Sequence, residues 1–297
     1  FRFQPDMVHA HLHEGALIAR AIQFVFRQKG YVFDLQGSLT GECLQHGFFP
    51  KGSLRHRMLA AFERAMVRWF PVLTQADSMV KESIALGALP ERVWNVKDGV
   101  DTDLFSPAEP NPALAAKLGV NLKAARFLYM GLLESYQGAD LLFEAFREVT
   151  RTLPTAQLVV IGYPNVDKYS ELCKSWGIRD QVVFLGRVNY FDLPEILRLV
   201  PIAIAPKIAA TEGDGKIYNY LSMGMAVVAF DRSVSREIIG TAGRFAQMGN
   251  AQSLATEMLS LATHSELLSR YSRMARERAL QELSYDAVAE KIEFSYY

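Results

Sequence analysis

The run from Lys207 to Asp231 concentrates the residues of this chain best suited to holding an anion. The apolar stretch 200–205 reads as a buried strand, and a polar loop carrying Gly213 and Gly215 follows it. From Lys216 the period turns helical, with Ile217, Tyr220, Leu221 and Met225 on one side, before a second apolar strand at 226–230. Strand, glycine loop, helix and strand together present backbone N–H groups and a positive helix end to an anion. Lys207 and Lys216 flank the loop, so a phosphate is the expected guest. A βαβ unit whose loop only turns the chain has the same layout, and the segment alone leaves both readings open.

A second cluster lies near the N-terminus. His9, His11 and His13 alternate along a strand end, which would put all three on one side. Beside Glu14 they have the outline of a metal site, but no fourth ligand is evident and no metal is expected. Strand-end histidines bonded to nearby loops fit the same spacing. The polar loop 34–40 follows the next strand candidate. There Ser38 or Thr40 either caps the following segment or, with Gln36, contacts a ligand.

The wording of the 207–231 run resembles the donor-nucleotide loop of retaining glycosyltransferases of family 4, written Glu-Gly-x-Gly, a helix, then Ala-x-Gly-x-Pro-Val-Val. Two more stretches match that family in order. Val96-Lys97-Asp98-Gly99-Val100-Asp101 through Phe105-Ser106-Pro107 is similar to its Asn-Gly-Val-Asp-x-x-x-Phe-x-Pro hinge signature. Phe127–Glu134 with Gln137-Gly138-Ala139-Asp140-Leu141-Leu142 is similar to the strand, loop and helix that open its second domain. The similarity runs from about Pro5 to the C-terminus.

The resemblance implies an α/β fold of two Rossmann-like domains facing a cleft, the GT-B architecture. It also implies a nucleotide-diphosphate sugar as donor, a glycan or lipid-linked acceptor, retention of anomeric configuration, and neither metal nor other cofactor. Carried over by position, Glu212 is the sugar-facing carboxylate. His11, in a stretch similar to Asp-x-x-His-x-His-Glu, is the histidine beside the transferred sugar, with His13 a contender for that place. Lys207, Gly213, Gly215, Lys216, Asn219 and Gln137 would hold the donor nucleotide and its phosphates; His13, Gln36 and Ser38 would lie on the acceptor side. The family opens with a strand and a glycine-rich loop, and Arg2-Phe3-Gln4-Pro5-Asp6 reads instead as mid-domain loop, so an incomplete first domain is expected.

Three positions depart from the family pattern. Leu132 and Gln137 stand where an Arg and a Lys usually grip the diphosphate, and Asn219 stands near the second glutamate, one residue short in spacing. Either Lys207 and Lys216 supply the missing charge, or the chain is a nucleotide-sugar binder that has lost catalysis. A sugar-nucleotide epimerase shares the architecture but would need carboxylates and a histidine set for donor hydrolysis and re-addition.

Composition sets the outer bounds. With 297 residues the chain is long enough for about two domains. Half its residues are hydrophobic and 22% are charged, as in a globular protein with a full core. Lys plus Arg equals Asp plus Glu at 32 each, so no bulk charge draws the chain to nucleic acid. Cys43 and Cys173 are far apart without metal spacing, which suggests reduced thiols in a cytoplasmic protein.

The elements must place these residues. Strands are expected near 6–10, 31–35, 72–75 and 93–96, with helices at 14–29, 54–70 and 78–86. Beyond a proline cluster at Pro107, Pro110 and Pro112, strands near 127–131, 157–162, 182–185, 201–205 and 226–230 alternate with helices, the pattern of a parallel doubly wound sheet. The expected domains are 1–106 and 107–283, with a helix at 284–297 returning to the first through Tyr285, Val288, Ile292 and Tyr296. Helix 54–70 turns Leu59, Phe62, Met66 and Phe70 inward and Arg55, Arg57, Arg64 and Arg68 outward. That outer face is either simply solvated or a peripheral contact with an anionic membrane.

Overall fold

The central apolar runs become strands that are buried on both faces. The computed structural model describes residues 5–26, 30–45, 47–209 and 214–294. In it, β1 (Met7–His11), β2 (Gly30–Leu35), β3 (Val72–Thr74) and β4 (Val93–Asn95) form one parallel sheet in the order β1-β2-β3-β4. A second parallel sheet holds β5 (Arg126–Met130), β6 (Gln157–Ile161), β7 (Val182–Phe184), β8 (Ile202–Ala205), β9 (Ala226–Phe230) and β10 (Gly243–Ala246). Its order is β10-β9-β8-β5-β6-β7. Every residue of β8 and β9 is buried, as strands covered by helices on both sides require.

The chain divides into two compact units, one running to Asp98 and including the segment from Val288, the other spanning Gly99 to Ala287 around the undescribed loop. The proline-rich segment therefore lies inside the second unit. There Asn111 caps helix Pro112–Leu118 by accepting the Ala113 and Leu114 N–H groups, and Gly119 ends it in the left-handed region.

In the second unit alternation sorts the strand residues by face. Leu158 and Val160 join a large core with Phe127, Tyr129, Phe143, Phe146 and Tyr169, while Val159 between them is equally buried on the other side. In the first unit Tyr31, Phe33 and Leu35 pack with Met66, Val67 and Phe70. Val32, pointing the opposite way, meets Leu73, Val96 and Val288, with Trp94 and Ile292 alongside. Each unit is thus a Rossmann-like layer arrangement.

Some expectations need correcting. Tyr285 is exposed rather than part of the apolar stripe of the last helix, Tyr285–Phe294, and Tyr296 lies outside the described residues. Strand β10 and the helices Leu39–Gln45, Pro112–Leu118 and Ser233–Ile239 go beyond the sequence reading. These elements span only four to seven residues, too few for a helical or strand period to emerge.

Candidate functional site

In an open parallel sheet ligands meet the carboxyl ends of the strands, and the second unit gathers its buried charges there. Strand β8 runs into Pro206 and Lys207, β9 into Asp231 and Arg232, and β5 into Gly131. Lys216 opens the helix Lys216–Ser222 behind the loop. Its ammonium lies 3.3 Å from Asp214 Oδ1, 3.4 Å from Gln137 Oε1 and 4.8 Å from the centre of the Tyr129 ring. Lys207, Asp214 and Arg232 are all buried as well. Gly131, at φ 149°, leaves the space above this group open: a Cβ there would stand 3.1 Å from Lys216 Nζ.

The helix that carries Lys216 is tied to the end of β5. Tyr220 Oη accepts the Met130 N–H at 2.8 Å, and the Tyr129 hydroxyl donates to the Leu132 carbonyl at 2.7 Å. Burial pushes both phenols up, so they remain protonated hydrogen-bonding groups. The Ile217 and Tyr218 N–H groups are engaged by the carbonyls of Asp214 and Gly215. An anion here would therefore meet the lysine ammonium rather than these two N–H groups. Asn219 sits half-buried three residues after Lys216 on the same helix face.

Burial holds the Lys216 ammonium below its ordinary 10.5; Asp214 opposes that shift, while Lys207 and Arg232 add to it. An ammonium binds a phosphate only below its pKa. Nucleoside diphosphate affinity should accordingly begin to fall at lower pH than an exposed lysine would allow. The bound phosphate draws the pKa back up, so binding on the alkaline side takes up a proton. Calorimetry in buffers of differing ionisation enthalpy, from about pH 7 to about 10.5, where an ordinary lysine titrates, measures both effects. Flat affinity across that window, with no proton uptake, would exclude Lys216 from the binding site.

In the first unit the structure separates the three histidines. His9 and His11 project from one face of β1, their rings stacked with centroids 4.5 Å apart. His11 Nδ1 lies 2.8 Å from Asp34 Oδ2, which also accepts from Gln36 Nε2 at 2.9 Å. His13 does not share that face. Leu12, at φ 60°, turns the chain into the helix Leu12–Phe26, and this carries His13 inward, where its Nε2 stands 3.4 Å from Glu63 Oε1. Burial pushes the Glu63 carboxyl up, but hydrogen bonds from His13 and Thr40 outweigh it and leave the pKa below its ordinary value. Ser38 donates to Glu63 and accepts the Gly41 N–H at 3.0 Å, so it caps the helix Leu39–Gln45.

Of the expected donor residues, Gln137 and Lys216 meet directly, Lys207 acts on Lys216 through its charge, and Gly215 precedes the helix. Glu212 and Gly213 lie outside the described residues. Sequence reasoning missed Asp214, Arg232, Tyr129 and Tyr220. Arg232 had a usable signal, since it follows a buried strand by two residues. Tyr129 and Tyr220 read as ordinary core residues, which they also are.

Comparison with known proteins places this geometry. Residues 111–278 match the family model described as glycosyl transferases group 1. The D-inositol 3-phosphate glycosyltransferase 1 of Catenulispora acidiphila is 27% identical over 226 residues, covering 70% of this chain and 52% of that protein. The mannosylfructose-phosphate synthase of Agrobacterium fabrum is 24% identical over 228 residues, 73% of this chain and 50% of that one. The chain thus spans about half the length of these curated relatives. Among solved structures, Anabaena HepE in complex with UDP superposes with a TM-score of 0.81 at 16% identity, covering 98% of this chain and 78% of HepE. That likeness shows the fold, two Rossmann-like domains of the GT-B type.

Proposed function

This chain belongs to the glycosyl transferases group 1 family, and from that premise we propose that it moves a sugar from a nucleotide-diphosphate donor to a hydroxyl of a glycan or lipid-linked acceptor, with retention. The observation that carries this reading is the buried Lys216 ammonium, set among Gly131, Gln137 and Asp214 at the carboxyl ends of β5 and β8. Cleaving the sugar–phosphate bond builds charge on the leaving diphosphate, and a fixed cation in a water-poor site stabilises that charge most where it develops. Lys207 and Arg232 extend the positive field, in place of the Arg and Lys that Leu132 and Gln137 lack.

In this reading the second unit holds the donor and the first serves the acceptor. Lys207, Gly213, Gly215, Lys216, Asn219 and Gln137 hold the nucleotide and its phosphates, and Glu212 faces the sugar. His11, oriented by Asp34, stands beside the transferred sugar, with Gln36, Ser38 and His13 on the acceptor side. Since HepE has been solved with UDP-glucose, uridine diphosphate sugars are the first donors to test. A lipid-linked acceptor would bring the protein to the inner face of a membrane. The outer side of helix Leu54–Trp69 fits such a contact: Arg55, Arg57, Arg64 and Arg68 are exposed beside exposed Leu54, Met58 and Trp69. Co-sedimentation with anionic against neutral vesicles checks it, and equal partition would remove the membrane from the reading. Among the described residues no helix is long and apolar enough to cross a membrane.

The deciding experiment pairs UDP calorimetry with an assay for sugar transfer or slow donor hydrolysis. Binding together with turnover supports the proposal; absence of binding at about millimolar UDP-sugar and UDP overturns it for that nucleotide. Binding without turnover favours a catalytically degenerate binder, for which Leu132 and Gln137 speak. Glu212→Gln should lower turnover while leaving nucleotide affinity close to that of the parent. A drop in melting temperature with intact turnover would make Glu212 a structural cap instead.

A further inference from the structure

We propose that His9, His11 and Asp34 bind a divalent transition-metal ion of the zinc class. Parallel pairing of β1 with β2 sets His11 opposite Asp34 and His9 opposite Val32. Residues two apart on a strand share a face, so both imidazoles stand over the Asp34 carboxylate. One ligand atom from each of the three lies within 4.8 Å of the others. The two rings are nearly parallel, 17° between planes, with centroids 4.5 Å apart.

Two imidazole nitrogens and one carboxylate oxygen form a borderline ligand set, which favours Zn²⁺, Co²⁺ or Ni²⁺ over Mg²⁺ and Ca²⁺. Bonds of about 2.0–2.2 Å set tetrahedral donors roughly 3.3–3.5 Å apart. A pair at that 4.8 Å limit must therefore close by roughly 1.3–1.5 Å, within reach of side-chain rotation. His11 Nδ1 and Asp34 Oδ2 are already 2.8 Å apart, and the ion takes the place of the proton they share. Gln36 Nε2, 2.9 Å from Asp34 Oδ2, supplies the outer hydrogen bond that orients a ligating carboxylate. Three protein ligands leave at least one position for water or a ligand oxygen. His13, turned inward to Glu63, is not part of the set. His11 and Asp34 also serve the glycosyl-transfer reading, and an ion here would compete with that role; the test below reads metal binding without activity, so either reading can fail without the other.

The test strips the full chain with a chelator, titrates it with Co²⁺ while following the visible d–d absorption, and then displaces Co²⁺ with Zn²⁺. The expected result is a single saturable site that Zn²⁺ empties and excess Mg²⁺ does not. His9→Gln and Asp34→Asn should each abolish it, and Gln36→Ala should weaken it about tenfold. His264→Gln, at an exposed histidine of the second unit, should leave it intact. If His9→Gln fails to fold, the isosteric Asp34→Asn decides alone. Equal Co²⁺ affinity in the parent and Asp34→Asn, or no saturable absorption in the parent, overturns the site.

Discussion

Lys216→Met is expected to lower sugar transfer about 10²–10³-fold, the loss seen when one preorganised charge-stabilising donor is removed from an active site. Nucleoside diphosphate affinity should fall less, about tenfold to a hundredfold, because a charge-assisted contact contributes about 1.5–3 kcal/mol. The asymmetry is the informative part. Charge on the diphosphate grows as the sugar departs, so a cation matters more in the transition state than in the bound donor. Methionine keeps most of the lysine stem's volume and leaves the space over the Tyr129 ring filled. It also strands Asp214, whose Oδ1 is 3.3 Å from the ammonium and whose Oδ2 has no hydrogen-bond partner among the described residues. A buried carboxylate without its cation is destabilising by several kcal/mol, and unfolding could imitate a functional loss. The double variant Lys216→Met/Asp214→Asn removes that ambiguity, for it should recover the melting temperature and stay inactive. Recovery of both turnover and stability would mean that Lys216 serves only to neutralise Asp214.

Gly138→Ala is expected to cost about 3 kcal/mol or more and to lower the melting temperature by about 10 °C for a unit of this size. Gly138 combines φ 77° with direct contact, since a Cβ there would overlap the Pro206 carbonyl oxygen. The neighbouring backbone is docked: the Ile208 and Ala209 N–H groups both donate to the Tyr136 carbonyl at 3.1 Å. The methyl group therefore pushes on the segment that carries Lys207, and the damage should extend to nucleotide affinity. Gly215→Ala is the matched control. Gly215 has α-helical dihedrals and nothing within 4 Å of its would-be Cβ, so the same substitution there should be neutral or slightly stabilising. Thermal unfolding of the pair decides: similar melting temperatures would show that the Pro206 segment yields without cost.

Much of the second sheet was legible in the sequence because β5, β6, β8 and β9 are continuous apolar runs punctuated by Gly131, Gly162 and Pro206. Those runs must be buried on both faces, and only a parallel sheet under two helical layers provides that. The convergence of Lys207 and Lys216 on one strand end was legible too, since both flank a glycine loop behind a strand. What remained hidden depended on distance through space. Gln137 and Lys216 are 79 residues apart, and no local period links them. Arg232 comes from a third strand end and acts on Lys216 only because β8 and β9 pair in register.

The histidines draw the same line most sharply. Their spacing of two put His9, His11 and His13 on one face as long as the strand continued. The strand stops at His11, Leu12 takes a left-handed turn, and His13 becomes a helical residue bound to Glu63, fifty positions away in sequence. Asp34 enters the His9–His11 pair because β2 lies beside β1 in a fixed register. The sequence by itself determined most of the longer strands and helices and which loops carry charge, since periodicity is a local property of the chain, while the shortest elements gave no period to read. Tertiary structure alone decided which of those charges share a site, because that follows from strand order and register, which bring together residues that no repeat or spacing connects.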